Sequence, residues 1–296
     1  MQNAIVNVNG QILTPAEANV SAFDRGYLYG DSLYEVARTY GGKLYLLDEH
    51  LARLESSAKL ARMILGQSAA QYREECVRTV RAFHGMPGQG GREAYCRLIV
   101  SRGTGKIGFG LNCLTSPTLF TIIVQPLDAP GEAQYKRGAH LAFSERVRND
   151  RRALDPAMKS GNYLNSLLAF LEANAADQDD AILCDYEGHV TEGTTFNVFY
   201  VRRGIVATPP LDIGILDGLT RRQVLAHCSR EGIPFRETRF PRERMFEADE
   251  CFLTSTIKEV FPITQLDGKP VADGAMGPVT RRLLELFRAD VPKGLS

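Results

Sequence analysis

The stretch YEVARTYGGKLYLL, Tyr34–Leu47, is two apolar runs hinged on Gly41–Gly42. It reads as a β-hairpin, because paired glycines accept the positive φ angles of a tight two-residue turn. Asp48 follows directly and predicts an N-cap, opening a helix with Leu51, Leu54, Ala58, Ala61 and Leu65 on one stripe. A hairpin running straight into an amphipathic helix mixes strands and helices without strict alternation, and the chain repeats this in both directions. Upstream, NAIVNVNGQIL (Asn3–Leu13) is a second hairpin around Asn9–Gly10. Downstream, Ser68 with Gln71 predicts a capping box for a helix to about His84, and Ala94–Arg102 and Thr118–Gln125 predict strands. PLDAPGEAQYKRG (Pro126–Gly138) is polar, broken by Pro and Gly, and without periodicity, which predicts a linker. It divides the chain into a small N-terminal domain, residues 1–125, and a larger C-terminal one, residues 139–296.

Beyond the linker the pattern predicts strands near Ala139–Ser144 and Ala181–Asp185, with a helix from Tyr163 to about Ala176 between them. The face of that helix reads as Tyr163, Leu167, Phe170 and Leu171. Strands follow around Val190 and at Asn197–Val201, then a helix at Leu219–Arg230. Strands near Phe235–Phe240, Glu250–Thr254 and Phe261–Leu266 and a helix at Pro278–Phe287 complete the reading. This interleaving predicts α+β domains rather than a doubly wound parallel sheet.

Composition narrows the function classes. At 296 residues the chain suits about two domains. Hydrophobic residues at 44% and charged residues at 24% exclude a disordered, collagen-like or small disulfide-rich chain. Thirty-five basic residues balance 35 acidic ones, and no basic cluster offers a nucleic-acid footprint. No apolar run reaches the roughly 20 residues that cross a bilayer. Met1–Gly10 lacks the basic head and apolar stretch of a secretion signal, so a cytoplasmic protein is expected. The six cysteines are scattered without close pairs, which predicts free thiols in a reducing compartment and neither disulfides nor a zinc site.

GTGKIGFG (Gly103–Gly110) satisfies the glycine pattern of a dinucleotide-binding loop and follows a strand. Such a loop needs a helix opening directly after it, whose N–H groups hold the pyrophosphate. LNCLTSPTLF follows instead, which is turn and strand material. Nucleotide binding therefore stands only as the remote alternative, and the glycines predict a loop at a hairpin end.

Other residues carry a chemistry of their own. Lys159, in DPAMKSGNYLNSLLAFLEA, lies between Ala157–Met158 and an apolar helix. A lysine held in dry surroundings loses its proton more easily and attacks carbonyls as a neutral amine. Glu192, in VTEGTTFNVFYV, sits between Val190 and an apolar strand, where a carboxylate needs a cationic partner such as a protonated pyridine. Three strings suit a phosphate: Leu219 and Thr220 at a helix start, Thr254–Ser255–Thr256 at a strand end, and Arg53 with its two-pronged fork. A phosphate cup, a carboxylate and an amine are the anchoring needs of pyridoxal 5′-phosphate.

Taken in order, DRGYLYGDSLYEVARTYGGKLYLLDEHLARL (Asp24–Leu54), KSGNYLNSLLA, VTEGTTFNVF, GILDGLTR and FLTSTIKEVFPI resemble the signature segments of the class IV, fold type IV pyridoxal-phosphate enzymes. That family holds branched-chain aminotransferases, D-amino-acid aminotransferases and aminodeoxychorismate lyases. The resemblance implies a two-domain α+β fold of the D-amino-acid aminotransferase type, with the cofactor at the domain interface, and a homodimer. It implies that Lys159 forms the Schiff base and shuttles the proton between substrate and cofactor. Glu192 would pair with the pyridinium nitrogen. Arg53, Leu219, Thr220, Ser255 and Thr256 would hold the phosphate, Leu216 would pack on one ring face, and Tyr163 would reach the phenolic oxygen.

The same resemblance places Tyr29, Tyr34, Tyr95 and Arg97 in the substrate pocket. YCR (Tyr95–Arg97) is similar to the Tyr-x-Arg of branched-chain enzymes, whose Arg receives the distal carboxylate of glutamate or 2-oxoglutarate, although Leu98 stands where proline is usual. GDSLYEV (Gly30–Val36) is closer to the D-amino-acid type, yet that type's Arg-x-His trap has no counterpart in RGTGKIGFG, which lacks His. The expected activity is transamination between an amino acid, aliphatic or branched-chain, and a 2-oxo acid, 2-oxoglutarate or pyruvate. D-amino-acid transamination and elimination of pyruvate from aminodeoxychorismate are the alternatives.

Overall fold

A computed structural model describes residues 3–295, which divide into two compact units. Unit 1 takes the described residues up to Asp128, the short stretch Met158–Asn162, and those from Val291 onward; unit 2 takes Ala129–Ala157 and Tyr163–Asp290.

Unit 1 begins with the hairpin β1 (Ile5–Val8) and β2 (Gln11–Leu13), turning at Asn9 and Gly10 with φ of 49° and 91°. Helix α1 (Arg25–Tyr29) leads into β3 (Ser32–Tyr40) and β4 (Lys43–Leu44), turning at Gly41–Gly42 as the opening stretch predicts. Helices α2 (Leu47–Leu60) and α3 (Ala69–His84) follow, then β5 (Ala94–Ser101) and β6 (Leu119–Pro126). The six strands form one antiparallel sheet in the order β2-β1-β6-β5-β3-β4. Leu51 and Leu54 of α2 and Val80 and Phe83 of α3 pack on Leu98, Val100 and Ile122, each fully buried aliphatic side chain contributing about 1.5–3 kcal/mol.

The Ser68–Gln71 capping box is present. Asp48 does not cap α2: the N-cap is Leu46, at φ 52°, and Asp48 lies in the first turn, where its charge meets the helix dipole. The N–H of Leu46 is instead satisfied by the Gly294 carbonyl at 2.8 Å.

Unit 2 contains α4 (Glu132–Arg137), β7 (Ala139–Val147), α5 (Leu164–Ala175), β8 (Asp180–Cys184), β9 (Val190–Gly193), β10 (Asn197–Arg202) and β11 (Ile205–Thr208). Then come α6 (Leu219–Glu231), β12 (Phe235–Glu237), α7 (Glu243–Phe246), β13 (Glu250–Ser255), β14 (Glu259–Leu266), β15 (Lys269–Pro270) and α8 (Pro278–Asp290). The sheet order is β12-β11-β10-β13-β14-β7-β8-β9, with β15 on β14. Three pairs are parallel, β11 with β12, β14 with β7 and β7 with β8; the others are antiparallel, so the sheet is mixed.

Three further features differ from the expectation. The stretch 126–138 is not structureless, because α4 occupies its second half. Lys159 was expected in the C-terminal domain, but Met158–Asn162 packs with unit 1. Helix α5 buries its small residues, Ala169 and Ala173, against Ala181 and Leu183, while Leu164, Leu167 and Leu171 point outward, 49–66% exposed. The loop Gly103–Gly110 leads into a single 3₁₀ turn, Leu111–Cys113, and no helix opens on its glycines. The pyrophosphate geometry of a dinucleotide site is therefore missing. All six cysteines are free. No helix among the described residues is long and apolar enough to cross a membrane.

Candidate active site

In unit 1 the site is built on β3. Residues directly opposite on antiparallel strands share a sheet face. Val36 faces Arg97 and Arg38 faces Tyr95 on β5, so Tyr34, Val36, Tyr95 and Arg97 line one face while Glu35 points to the other, beneath α2. The stretch around Lys159 adds to the free edge of β3. Leu33 bridges Ser160, the Tyr34 N–H donates to the Lys159 carbonyl at 3.0 Å, and the Gly161 N–H donates to Ser32 at 2.8 Å. The Lys159 N–H donates to Ser57 Oγ of α2 at 3.1 Å.

These backbone bonds aim the lysine. Its Nζ donates to Tyr34 Oη at 3.0 Å and lies 4.3 Å from the Tyr34 ring centre. The Arg97 guanidinium stands 4.2 Å from the same ring centre, and its buried Nε makes no hydrogen bond. The structure thus brings Lys159, Tyr34 and Arg97 together.

On the other face, Arg53 grips Glu35 through Nε at 2.8 Å and Nη2 at 2.7 Å, and His50 Nδ1 lies 2.7 Å from the same carboxylate. Burial alone would raise the Glu35 pKa, but Arg53 and His50 outweigh it and lower it to about 2. Burial pushes the His50 imidazole down, Glu35 opposes this, and Arg53 and Lys159 add to it. Arg53 was expected as a phosphate ligand, and it is found with two of its nitrogens committed to Glu35. Tyr29 stands apart from this cluster. Its hydroxyl accepts the Gly108 N–H at 3.1 Å and its ring lies 5.2 Å from Phe109, so it serves the glycine loop.

In unit 2 the centre is Glu192 on β9, buried. Its Oε1 accepts Arg148 Nε at 3.1 Å and Nη2 at 2.8 Å. Its Oε2 accepts the Leu216 N–H at 3.0 Å and Asn197 Nδ2 at 3.4 Å. Asn197 also donates to the Leu216 carbonyl at 2.9 Å. Leu216 therefore meets Glu192 through its backbone. Asn197 stands opposite Thr254 across β10 and β13, and Thr254 Oγ1 is buried without a hydrogen-bond partner. Ser255 Oγ accepts the Lys258 N–H, and Thr256 is half-buried just beyond the strand. Helix α6 starts at Leu219–Thr220 from Gly218, with no side-chain cap and no acidic residue in its first turn. Tyr163 holds the N-cap position of α5, half-buried.

Four contributors escaped sequence reasoning: Glu35, His50, Arg148 and Asn197. Glu35 left a signal, since it occupies the core-facing register between Leu33 and Ala37 where an acid requires a cation. Arg148 and Asn197 left none, because their partners are distant in sequence or in a turn.

The pattern of this fold is found in known proteins. The family model described as amino-transferase class IV matches residues 32–266. The putative branched-chain-amino-acid aminotransferase of Methanocaldococcus jannaschii is 36% identical over 283 residues, 96% of this chain and 95% of that protein. The D-alanine aminotransferase of Bacillus licheniformis is 34% identical over 275 residues, 93% of each. Among solved structures, the T.th. branched-chain amino acid aminotransferase with pyridoxamine 5′-phosphate superposes with a TM-score of 0.86 at 31% identity, covering 97% of this chain and 93% of that one. The branched-chain aminotransferase of Thermoproteus uzoniensis with norvaline gives 0.87 at 30% identity, covering 98% and 95%.

Proposed function

This chain belongs to the class IV aminotransferases, and from that membership we propose that it moves amino groups between aliphatic amino acids and 2-oxoglutarate, with Lys159 as the cofactor lysine. Aminotransferases of this class depend on pyridoxal 5′-phosphate, and the residues present fit that group. The uncapped start of α6 leaves N–H groups and a helix dipole for a phosphate. The orphaned Thr254 hydroxyl adds an unused donor nearby, on the face it shares with Asn197. Glu192 offers a buried carboxylate to a basic ring nitrogen.

When bound, pyridoxal phosphate supplies an aldehyde that captures an amino group and a ring that accepts the electron pair released at the substrate Cα. The side chains do the rest. Lys159 would hold the cofactor through Nζ and, once the substrate's own amine has displaced it, the freed amine would take the Cα proton and hand it on, acting as base and acid in turn. Tyr34 holds Nζ in place. Glu192 keeps a proton on the ring nitrogen. Leu219, Thr220, Ser255 and Thr256 would anchor the phosphate, with Arg53 adding its charge while held on Glu35; Leu216 would cover one ring face and Tyr163 would reach the phenolic oxygen. Tyr95 would line the pocket beside Arg97, and Tyr29 would act on it through the glycine loop.

The acceptor reading is carried by one observation: Arg97, beside Tyr34 and Lys159, has a buried Nε with no partner. A guanidinium with an unused donor is a receptor for a carboxylate, here the distal one of 2-oxoglutarate. A second reading, transamination of D-amino acids, is favoured by Tyr34 and Val36, which follow that type's pattern, and disfavoured by the missing His in Arg102–Gly110. A panel of L- and D-amino acids against 2-oxoglutarate and pyruvate tests both. Aliphatic donors with 2-oxoglutarate are expected to turn over fastest. D-alanine with pyruvate as the best pair would favour the second reading, and pyruvate release from aminodeoxychorismate without amino transfer would defeat both.

The chain acts as a homodimer in this reading. Support comes from the outward leucines of α5 and from four exposed side chains of unit 1, Phe23, Tyr27, Ile107 and Phe109, each of these four more than half exposed. Such apolar surface calls for a partner. The six free thiols suit a reducing cytoplasm.

A further inference from the structure

We propose that Arg148 is a positioning residue that keeps Glu192 ionised and so fixes their shared proton on the cofactor's ring nitrogen; the proposal rests on the reading in which Glu192 faces that nitrogen. A carboxylate offers about four lone-pair sites. Arg148 fills those of Oε1 with two N–H bonds at 3.1 and 2.8 Å. On Oε2 the Leu216 N–H sits at 3.0 Å, but Asn197 is at 3.4 Å, long enough to give way to a better donor. The remaining acceptor capacity of Glu192 therefore lies on Oε2.

Arg148 is itself held in place. Its backbone N–H donates to the Cys184 carbonyl at 2.8 Å, and Nη1 reaches Asn165 Oδ1 at 3.4 Å. Asn165 is in turn fixed by donating to the Val147 carbonyl at 3.0 Å. The side chains of Arg148 and Glu192 are only 15% and 6% exposed, so solvent screens the pair little.

The consequence follows from electrostatics. A buried carboxylate and an aromatic nitrogen share one proton, and with no other charge nearby the neutral pair is favoured, because two charges cost desolvation. A guanidinium on Oε1 reverses that preference by stabilising the anion, which then acts only as an acceptor. Its repulsion of the protonated nitrogen is weaker, since it acts across the carboxylate and Coulomb energy falls with distance.

Pyridoxal 5′-phosphate carrying ¹⁵N in its ring, loaded into the purified protein, reads this directly. The wild type is expected to show the protonated resonance. Arg148→Met and Arg148→Gln are expected to move it toward the neutral position and slow turnover about 10²-fold, the scale of lost acid–base assistance. Arg148→Lys, which restores the charge without the two-point hold, is expected to recover much of both. The Gln variant keeps an N–H donor, so it serves if the Met variant does not fold. A protonated resonance in either neutral variant with cofactor loaded overturns the proposal. Glu192→Gln separates the two ideas: if it too leaves the ring protonated, it is the reading of Glu192 that fails.

Discussion

Tyr34 and Lys159 are joined twice, once through the main chain, where the Tyr34 N–H meets the Lys159 carbonyl, and once through the side chains, where Nζ meets Oη, both at 3.0 Å. The same strand edge that holds the lysine backbone thus also holds its amine. Lys159→Ala is expected to abolish turnover while the circular-dichroism spectrum and melting temperature stay near wild type. Tyr34→Phe, which removes one hydrogen bond, is expected to slow turnover about tenfold. Full activity in the alanine variant would remove Lys159 from the mechanism.

Arg97 separates acceptors. Replacing it with Gln takes away a charged donor to a carboxylate, worth about 1.5–3 kcal/mol. The KM for 2-oxoglutarate is expected to rise roughly 10- to 100-fold. The KM for pyruvate, which has no second carboxylate, should hardly change. Equal losses for both acceptors would count against the assignment.

Acid tests the buried trio under α2. The Glu35 carboxyl is held at about 2, below its ordinary 4.5. A lowered carboxyl contributes stability above its unfolded value and loses it as pH falls toward the folded one. Between about pH 4.5 and 2 the wild type should lose about 3 kcal/mol from this group alone. Glu35→Gln should lack that slope in urea titrations. At pH 7 the same variant should be about 3–5 kcal/mol less stable, because Arg53 is left buried without its anion.

Gly218 is the fourth test. A Cβ there would collide with Asn197 Oδ1, the residue that touches both Glu192 and Leu216. Gly218→Ala is expected to cost about 1–3 kcal/mol in stability. It should also weaken pyridoxal phosphate retention during dialysis. Wild-type retention in the variant would mean that Asn197 can shift without consequence.

The elements of both units were largely legible, because hairpin glycines and the Ser68–Gln71 box act within a few residues of themselves. Helix α1 and strand β11 were not: the first is five residues long and the second four, too short for periodicity to register. The outward leucines of α5 misled the pattern, since apolar spacing marks a face that wants covering without saying by what. At the site, Lys159 and Glu192 stood out as charges in apolar strings. Their supporting pairs did not, because Glu35 with Arg53 and Arg148 with Glu192 lie 18 and 44 residues apart and are brought together only by folding.

Unit 1 gathers its parts from three separated stretches, and Gly294 supplies the acceptor for Leu46 at the head of α2. A ribosome delivering this chain would release residues 3–128 before Met158–Asn162, the segment that completes the edge of β3, and Gly294, the acceptor for Leu46, only after all of unit 2. The lysine's seat is therefore finished only after every strand of the first sheet has emerged, and a nascent chain stopped at residue 128 would carry that sheet with no reactive amine in it.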